Sequence, residues 1–249
     1  MTSNRSLVQP GDATGWALHA RLPQTLPEEV IRAVNPARGT LHETRRYSWN
    51  GWDLELPPGV FAPGATSRLV HERLLDGTIA VAGLRYAAVG AGLGVEAVVA
   101  GVRGAAAVYA LDVHPASVHA AAGHYARIVG DDGPPLVAVV ADVWDGFDDD
   151  VALDVVTFNP PAIAPVLSED PDVARNLCVG PGIVARFLDG IVTRGLLASD
   201  GVAYLTLSNT APLREVVALA LDAGFDVAVA HVEDWPGIDV VTYVFALRL

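Results

Sequence analysis

The sequence has few of the residues that form disulfides or bind phosphate backbones. Its 249 residues include one cysteine, Cys178, so no internal disulfide can form, and no neighbouring Cys or His completes a metal site. Only 16 Lys and Arg residues stand against 29 Asp and Glu residues, which makes the formal net charge −13. A protein that grips a nucleic-acid backbone needs a basic surface. The excess of acidic residues therefore disfavours a DNA or RNA partner.

Long apolar runs are absent as well. The most apolar stretches, 97–111 and 216–230, are interrupted by Arg103 or by Asp222 and Asp226, and neither reaches the length of a membrane span. The first residues lack the apolar core of a signal peptide. We therefore expect a cytoplasmic protein with no membrane partner. The sequence leaves open whether the chain forms a homodimer.

From about residue 84 onward, strand patterns alternate with helix patterns. Apolar, β-branched runs predict five strands, at 84–89, 106–111, 136–141, 153–158 and 202–207. Helical segments are expected after the glycines at 90–94, from Pro115, at 182–197 with a stop at 199–201, and at 211–223. Two final strands, 225–232 and 239–247, have no helix between them. The pattern predicts an α/β fold: a doubly wound, mostly parallel sheet of seven strands that ends in an antiparallel hairpin.

Residues 1–55 have a different character. They are rich in Pro, Arg and Trp, with a helix expected around 27–34 and a hairpin in YSWNGWDLELP. Trp49 and Trp52 flank Asn50-Gly51, which is typical of a two-residue hairpin turn. The two rings either pack together in the core or line the substrate pocket. We predict that residues 1–55 form a cap or lid over a main domain at 56–249.

Polar or glycine-rich segments follow four of the predicted strands. They are GAGLG (90–94), Asp112, Asp142 and Asn159-Pro160-Pro161. In an open α/β sheet, ligands bind beyond the carboxyl ends of the strands. Glycines let a backbone approach a phosphate or cofactor closely, and an acid about twenty residues later can accept hydrogen bonds from a ribose diol. Each segment alone fits a plain turn, a helix cap or a loop, but together they predict a nucleoside cofactor site.

The order and spacing of these segments resemble those of the class I S-adenosylmethionine-dependent methyltransferases. FNPPA (158–162) resembles the NPPY signature of the subset that methylates nitrogen in nucleobases or in the glutamine side chain of release factors. The likeness continues in GVFAPGATSRLV (59–70), DVHPASVHAAAGHYA (112–126) and RNLCVGPGIVARFLDGIV (175–192). It implies S-adenosylmethionine as cofactor, with the methionine part at the glycine loop, the ribose at Asp112 and the adenine at Asp142. The residues it implies for the cofactor are Gly90, Gly92, Asp112, Val113, Asp142, Val143 and Asn159.

The Asn-Pro-Pro segment suits the chemistry of nitrogen methylation. A nitrogen whose lone pair is delocalised is a poor nucleophile, and acceptors for its N–H groups orient it for attack. The Asn159 side chain and the Pro160 carbonyl are such acceptors, and the diproline restricts the loop. We therefore predict Asn159 and Pro160 as catalytic residues. We predict Asn159, Pro161, Phe61 and Trp52 as substrate-binding residues.

Two departures from the family pattern shape the expected substrate. Ala88 stands where the first motif usually has an acid, and Ala162 stands where the NPPY aromatic stacks on a planar target. Stacking is worth about 1–3 kcal/mol per base, so its loss disfavours a nucleobase unless Trp49, Trp52 or Phe61 replaces it. We expect N-methylation of a small molecule, an amide, amine or N-heterocycle, as in secondary metabolism.

Other functions remain as alternatives. The chain could methylate protein glutamine or a nucleobase, or be a non-catalytic binding protein on the same fold. An NAD-dependent oxidoreductase fits less well, because Val95 interrupts the GxGxxG spacing and FNPP would have no explanation. No metal is expected. The histidines at 114, 119 and 124 are five residues apart, which points helical neighbours about 140° away from each other.

Overall fold

The computed structural model describes residues 7–36, 39–148, 150–164 and 167–249. In these ranges the chain forms eight helices: α1 (Gly15–Arg21), α2 (Glu28–Val34), α3 (Ala65–Asp76), α4 (Val95–Val102), α5 (Pro115–Ile128), α6 (Pro171–Leu177), α7 (Gly182–Arg194) and α8 (Leu213–Asp222). It also forms nine strands: β1 (Arg45–Trp49), β2 (Trp52–Leu56), β3 (Arg85–Val89), β4 (Ala107–Asp112), β5 (Leu136–Val140), β6 (Leu153–Phe158), β7 (Leu197–Ser208), β8 (Asp226–Trp235) and β9 (Val240–Arg248). None of these helices is long and apolar enough to cross a lipid bilayer.

Seven strands form one sheet in the order β5-β4-β3-β6-β7-β9-β8. The strands from β3 to β7 pair in parallel, whereas β9 runs antiparallel to both β7 and β8. The predicted doubly wound α/β fold with an antiparallel C-terminal hairpin is confirmed. The hairpin joins the sheet through its second strand, so that β9 lies between β7 and β8. The strand pattern of the sequence does not predict that order.

Helices cover both faces of the sheet. Ala87 of β3 and Val156 of β6 pack into a core with α7 and α8, whereas their neighbours Tyr86 and Val155 pack into a second core with α3, α4 and α5. Strands that are buried on both faces read as continuous apolar runs, as these do in the sequence. Because the strands from β3 to β7 run in parallel, their carboxyl ends meet at one edge of the sheet.

The N-terminal residues pack against both faces. Helix α1 contacts α8 and β8, and its Leu18 is fully buried there. The β1–β2 hairpin contacts α5 on the other face, with Leu54 and Leu56 fully buried in the second core. The division into a cap at 1–55 and a main domain at 56–249 stays a prediction, and residues 1–6 and 37–38 of that cap lie outside the described residues.

The predicted hairpin turn is present. Asn50 and Gly51 have φ values of 52° and 76°, which is the left-handed pair that a type I′ turn requires. Trp49 and Trp52 are register partners across the turn, and their rings meet edge to face with centroids 5.7 Å apart.

The boundary between α7 and β7 differs from the expectation. The helix predicted at 182–197 ends at Arg194, because Gly195 caps it in the left-handed conformation, with φ +60°. Residues 199–201, predicted as the helix stop, lie inside β7, where pairing with β6 shifts register between Leu153 and Val155. The sequence pattern also does not predict α1, α3 or α6, of which α1 and α6 have only seven residues each.

Candidate active site

A cavity of about 720 Å³ opens at the carboxyl edge of the parallel strands. The ends of β3, β4 and β6, the start of α3 and the segment between α6 and α7 contribute to its wall. Its volume lies in the range of about 300–1,000 Å³ that is common for small-molecule and cofactor pockets. The cavity brings together all but one of the predicted site residues: Phe61, Gly90, Gly92, Asp112, Val113, Asp142, Val143, Asn159, Pro160 and Pro161.

The glycine loop presents backbone to this cavity. Gly90 and Gly92 both have positive φ, +65° and +51°. The N–H of Ala91 between them donates to the carbonyl of Leu111 at 2.8 Å, which ties the loop to β4. A Cβ atom at Gly92 would meet only the Gly90 carbonyl oxygen, at 3.9 Å, so the space beside it is open. A ligand can therefore approach the loop closely at the start of α4.

Asp112 is hydrogen-bonded directly to that loop. Its Oδ2 accepts the N–H of Gly92 at 2.8 Å, and its Oδ1 accepts the N–H of His114 at 2.8 Å. Burial raises the pKa of the Asp112 carboxyl, and the two N–H donors oppose that rise. Carboxylate oxygens have further lone pairs, so Asp112 can still accept hydrogen bonds from a diol. The neighbouring Val113 lines the same cavity and is 48% exposed.

Asp142 takes part in an ion pair that the sequence does not predict. Its Oδ2 lies 2.6 Å from Nη1 of Arg186, which also lines the cavity, and both side chains are about half exposed. The next residue, Val143, is buried and has a φ of 59°. A β-branched residue rarely adopts that conformation, and such strained backbone is concentrated at ligand sites.

Asn159 follows β6 and is held by α3. Its amide nitrogen donates to Oγ of Ser67 at 3.2 Å. With the nitrogen used in this way, the amide oxygen remains as a hydrogen-bond acceptor. The sequence predicts the importance of Asn159, but it does not predict that Ser67 orients it.

Backbone hydrogen bonds constrain the diproline segment. The Pro160 carbonyl, predicted to accept from a substrate, already accepts the N–H of Ala162 at 2.8 Å, which forms a three-residue turn. A second lone pair remains on that carbonyl. The Pro161 carbonyl accepts the N–H of Val179 at 2.8 Å, and Ala162 forms a bridge with Cys178. The segment between α6 and α7 therefore holds the Asn-Pro-Pro loop in place.

Aromatic side chains reach the cavity from elements other than the NPPY position. Ala162 is 2% exposed, and the aromatic rings in the wall belong to Phe61, Phe158 and Trp235. Trp52 is not part of the wall that the described residues form, and its substrate contact stays a prediction. It lies on β2, where register pairing places it against Trp49.

Sequence reasoning missed further polar side chains of the wall. Among them are Ser67, His71, Glu96, Arg175, Asn176 and Arg186. Two sequence signals were available. Glu96 is the one charged residue of the otherwise apolar helix VEAVVAGV, and Ser67 and His71 are four residues apart, which places them on one face of α3.

Two histidines outside the cavity wall have polar partners within the protein. His124 accepts the N–H of Glu55 at Nε2, at 3.1 Å, and its Nδ1 lies 3.0 Å from the Leu93 carbonyl. Elsewhere, His42 has Asp170 2.7 Å from Nε2 and Asp172 3.3 Å from Nδ1. These ion pairs occupy both ring nitrogens of an exposed histidine, at the start of α6 and outside the cavity wall.

No protein-family model matches the sequence, and no curated protein is significantly similar to it. Solved structures match its fold. The Mtq2–Trm112 complex of E. cuniculi, responsible for methylation of the termination factor eRF1, aligns with a TM-score of 0.52 and 19% identity, over 76% of this chain and 98% of that chain. Precorrin-6y C5,15-methyltransferase from Geobacter metallireducens aligns with a TM-score of 0.52 and 19% identity, over 76% and 94% of the two chains.

A third similar structure carries a ligand. The T. thermophilus 16S rRNA N2 G1207 methyltransferase, solved in complex with AdoMet and guanosine, aligns with a TM-score of 0.55 and 17% identity. The match covers 86% of this chain but only 52% of that one. The chain has the fold of the class I methyltransferases. At these identities the likeness concerns the fold alone.

Proposed function

We propose that this chain is an S-adenosylmethionine-dependent N-methyltransferase whose acceptor is a small molecule with an amide, amine or heterocyclic nitrogen. One observation carries the proposal: Asn159, oriented by Ser67, shares a cavity with the glycine loop and Asp112. An oriented amide oxygen therefore lies in the same enclosed space as backbone and carboxylate groups suited to a nucleoside cofactor.

The wall of the cavity fits that cofactor. The space beside Gly92 is open, and Asp112 lies against the loop with lone pairs to spare for a ribose diol. Asp142 and Val143 would hold the adenine beyond β5. When bound, S-adenosylmethionine supplies an electrophilic methyl group, which a nitrogen lone pair accepts as the carbon–sulfur bond breaks.

The chain's own residues would act on the acceptor nitrogen. The Asn159 amide oxygen accepts one N–H, and the remaining lone pair of the Pro160 carbonyl can accept a second. These acceptors orient the nitrogen and stabilise the positive charge that develops on it. The proton then passes from the methylated nitrogen to water, so that no strong base is required.

Several features support a small acceptor over a macromolecule. Ala162 leaves no ring at the stacking position, and Val34 and Asn35 from the N-terminal region contribute to the wall, as a cap would. The net charge of −13 opposes an RNA backbone. A cytoplasmic location and a homodimer stay predictions.

A macromolecular acceptor is the second candidate. Of the proteins with similar structures, the Mtq2–Trm112 complex methylates a termination factor and the T. thermophilus enzyme methylates 16S rRNA. Phe61 and Trp235 line the cavity and offer rings that a planar amide or base could stack on. Binding of a protein or RNA would then need a surface outside the cavity.

The test begins with calorimetric titration of the protein with S-adenosylhomocysteine, with NAD as control. We expect micromolar affinity for the first ligand and none for the second. Methyl transfer is then measured with small amines, amides and N-heterocycles beside tRNA, rRNA and a release factor. Transfer at ordinary turnover rates to one of the macromolecules would overturn the small-molecule proposal. Binding of NAD alone would overturn the methyltransferase proposal.

A further inference from the structure

A second polar cluster borders the cavity, apart from Asp112 and Asn159, and two of its members, Glu96 and His71, line the cavity wall. It consists of Glu96 at the start of α4, His71 on α3, Tyr86 on β3 and Thr157 on β6. Thr157 is the register partner of Ala88, and Tyr86 lies two residues before Ala88 on the same face of the sheet. The cluster therefore brings a carboxyl group to the face where Ala88 itself has none.

Hydroxyl groups hold one oxygen of the Glu96 carboxyl. Oε2 accepts hydrogen bonds from Oγ1 of Thr157 and, at 3.2 Å, from the hydroxyl of Tyr86. The other oxygen, Oε1, lies 3.8 Å from Nε2 of His71. That separation is too long for a direct hydrogen bond. The position of Glu96 is thus fixed through one oxygen, while the other remains available.

Among the described residues, no Lys or Arg side chain belongs to the cluster, although the charge of Arg68 acts on His71 and helps to lower its pKa. Glu96 is only 15% exposed and His71 only 3%. Among the ion pairs of the described residues, Glu96 has neither a Lys nor an Arg partner. Burial lowers the pKa of His71 to about 3, so its ring is neutral near pH 7. Burial also raises the pKa of Glu96, as expected for a buried carboxyl without a cation.

His71 also has an unsatisfied atom. Its Nδ1 is buried and has no hydrogen-bond partner among the described residues. A buried polar atom without a partner is uncommon and costs free energy. A neutral imidazole offers one acceptor nitrogen, and the carboxylate of Glu96 offers Oε1. Together they provide two hydrogen-bond acceptors and, on the Glu96 carboxylate, a negative charge.

We propose that Glu96, with His71 beside it, binds the α-ammonium group of the cofactor's amino acid part. An ammonium group has three N–H donors and no acceptor, which complements these two side chains. The cluster adjoins the glycine loop on the side away from Asp142. If the adenine of the cofactor is at Asp142, the amino acid end of the cofactor lies on the side of the cluster. This assignment rests on the proposed function and identifies two residues that would discriminate among nucleoside ligands.

The test combines removal of the amino group from the ligand with substitution of Glu96 in the protein. The binding affinity of each combination is measured by calorimetry with the full chain. The two ligands are S-adenosylhomocysteine and its analogue that lacks only the α-amino group. We expect the wild type to bind the analogue about 10- to 100-fold more weakly, as for the loss of a charged hydrogen bond. In Glu96→Gln the preference should largely disappear. Glu72→Gln is the matched control, because this exposed residue next to His71 lies outside the cavity wall.

The outcomes distinguish failure of the Glu96 assignment from failure of the proposed function on which it rests. An unchanged preference in Glu96→Gln, with the wild type still binding S-adenosylhomocysteine, would overturn the assignment of Glu96 alone. Absence of binding by the wild type would overturn the proposed function and this assignment with it. If circular dichroism shows that Glu96→Gln is unfolded, His71→Gln takes its place. A reduced preference in that variant supports the ammonium site, and a full preference overturns it.

Discussion

Asn159 and Ser67 are 92 residues apart in the sequence, yet the amide nitrogen of one lies 3.2 Å from the hydroxyl oxygen of the other. Ser67 lies in the first turn of α3, and Asn159 follows the last residue of β6. This contact removes the freedom of the amide to rotate. A rotamer fixed before the substrate binds lowers the entropy that ordering it would cost.

The first prediction concerns this pair. Asn159→Ala should lower turnover about 10²- to 10³-fold, the loss typical of a single preorganised hydrogen-bonding group. The affinity for S-adenosylhomocysteine should remain near that of the wild type, because the acceptor role is at the substrate. Turnover comes from steady-state kinetics and affinity from calorimetry. A parallel loss of turnover and affinity would contradict the acceptor role.

Ser67→Ala provides the companion measurement. Ser67 positions Asn159 and is not itself assigned a contact with the reacting nitrogen. We therefore expect a smaller loss of kcat than in Asn159→Ala, and almost no further loss when the two substitutions are combined. Additive losses would show that the serine acts independently of the amide.

The second prediction concerns Asp112. Asp112→Ala should weaken the binding of S-adenosylhomocysteine by about 1.5–3 kcal/mol, the value for a hydrogen bond to a charged group. Asp145→Ala is the control, since it removes the same charge from a residue outside the cavity wall. Calorimetry of both variants checks the role. Equal affinities in the two variants would refute the ribose assignment.

The third prediction concerns the packing of the glycine loop. A Cβ atom on Gly94 would stand 2.5 Å from Cβ of Ala121, and Gly94 has a φ of +80°. Gly94→Ala should therefore lower the free energy of unfolding by about 2–5 kcal/mol, as overpacking adds to backbone strain. In the control, Gly130→Ala, φ is +78° but no atom lies within 4 Å. We expect the control to lose only about 1–2 kcal/mol. Equal losses in urea unfolding would contradict the close contact.

The fourth prediction is a pH dependence at His42. The hydrogen bond that His42 donates to Asp170, and next the charge of Asp170, raise the pKa of His42 above 6.5. The same bond lowers the pKa of Asp170 below 3.8. Both groups are charged between those two pKa values. The stabilisation is therefore fully present below the unfolded pKa of His42 and is lost as pH rises through its folded pKa.

The comparison is between the wild type and His42→Gln. Their melting temperatures should differ at about pH 5.5 and coincide at about pH 9. The difference should be small, because the His42 side chain is 59% exposed and exposed ion pairs contribute little. A difference that is larger at the alkaline pH would contradict the ion pair.

Prediction from the sequence worked best where local patterns carry the information. The apolar runs at β3, β4, β5 and β6 and the glycines after β3 were recognisable, because the sheet buries both faces of the strands and glycine permits positive φ. Since parallel strands share one direction, the residues after them fall at one edge of the sheet. Asp112, Asp142 and Asn159 therefore followed from the pattern.

The predicted substrate contact of Trp52 stays a prediction, and the structure places the residue outside the cavity wall that the described residues form. Trp52 lies inside the predicted cap at 1–55, and that position in the sequence does not show which way its ring points. The direction of its ring depends on the register of β1 with β2 and on packing against Trp49. The helix end at Gly195 was not predicted either, because the sequence pattern predicts the stop at 199–201 and only the pairing of β7 with β6 places those residues in a strand.

The sequence by itself determined the class of sheet, the positions of most strands and the residues at their carboxyl ends. Tertiary structure alone decided that β9 lies between β7 and β8, that Ser67 orients Asn159, and that Glu96 meets His71, Tyr86 and Thr157. The physical reason is that strand and turn patterns arise from neighbouring residues. Side-chain contacts between distant segments depend on how the helices pack against the sheet, and no local pattern encodes that packing.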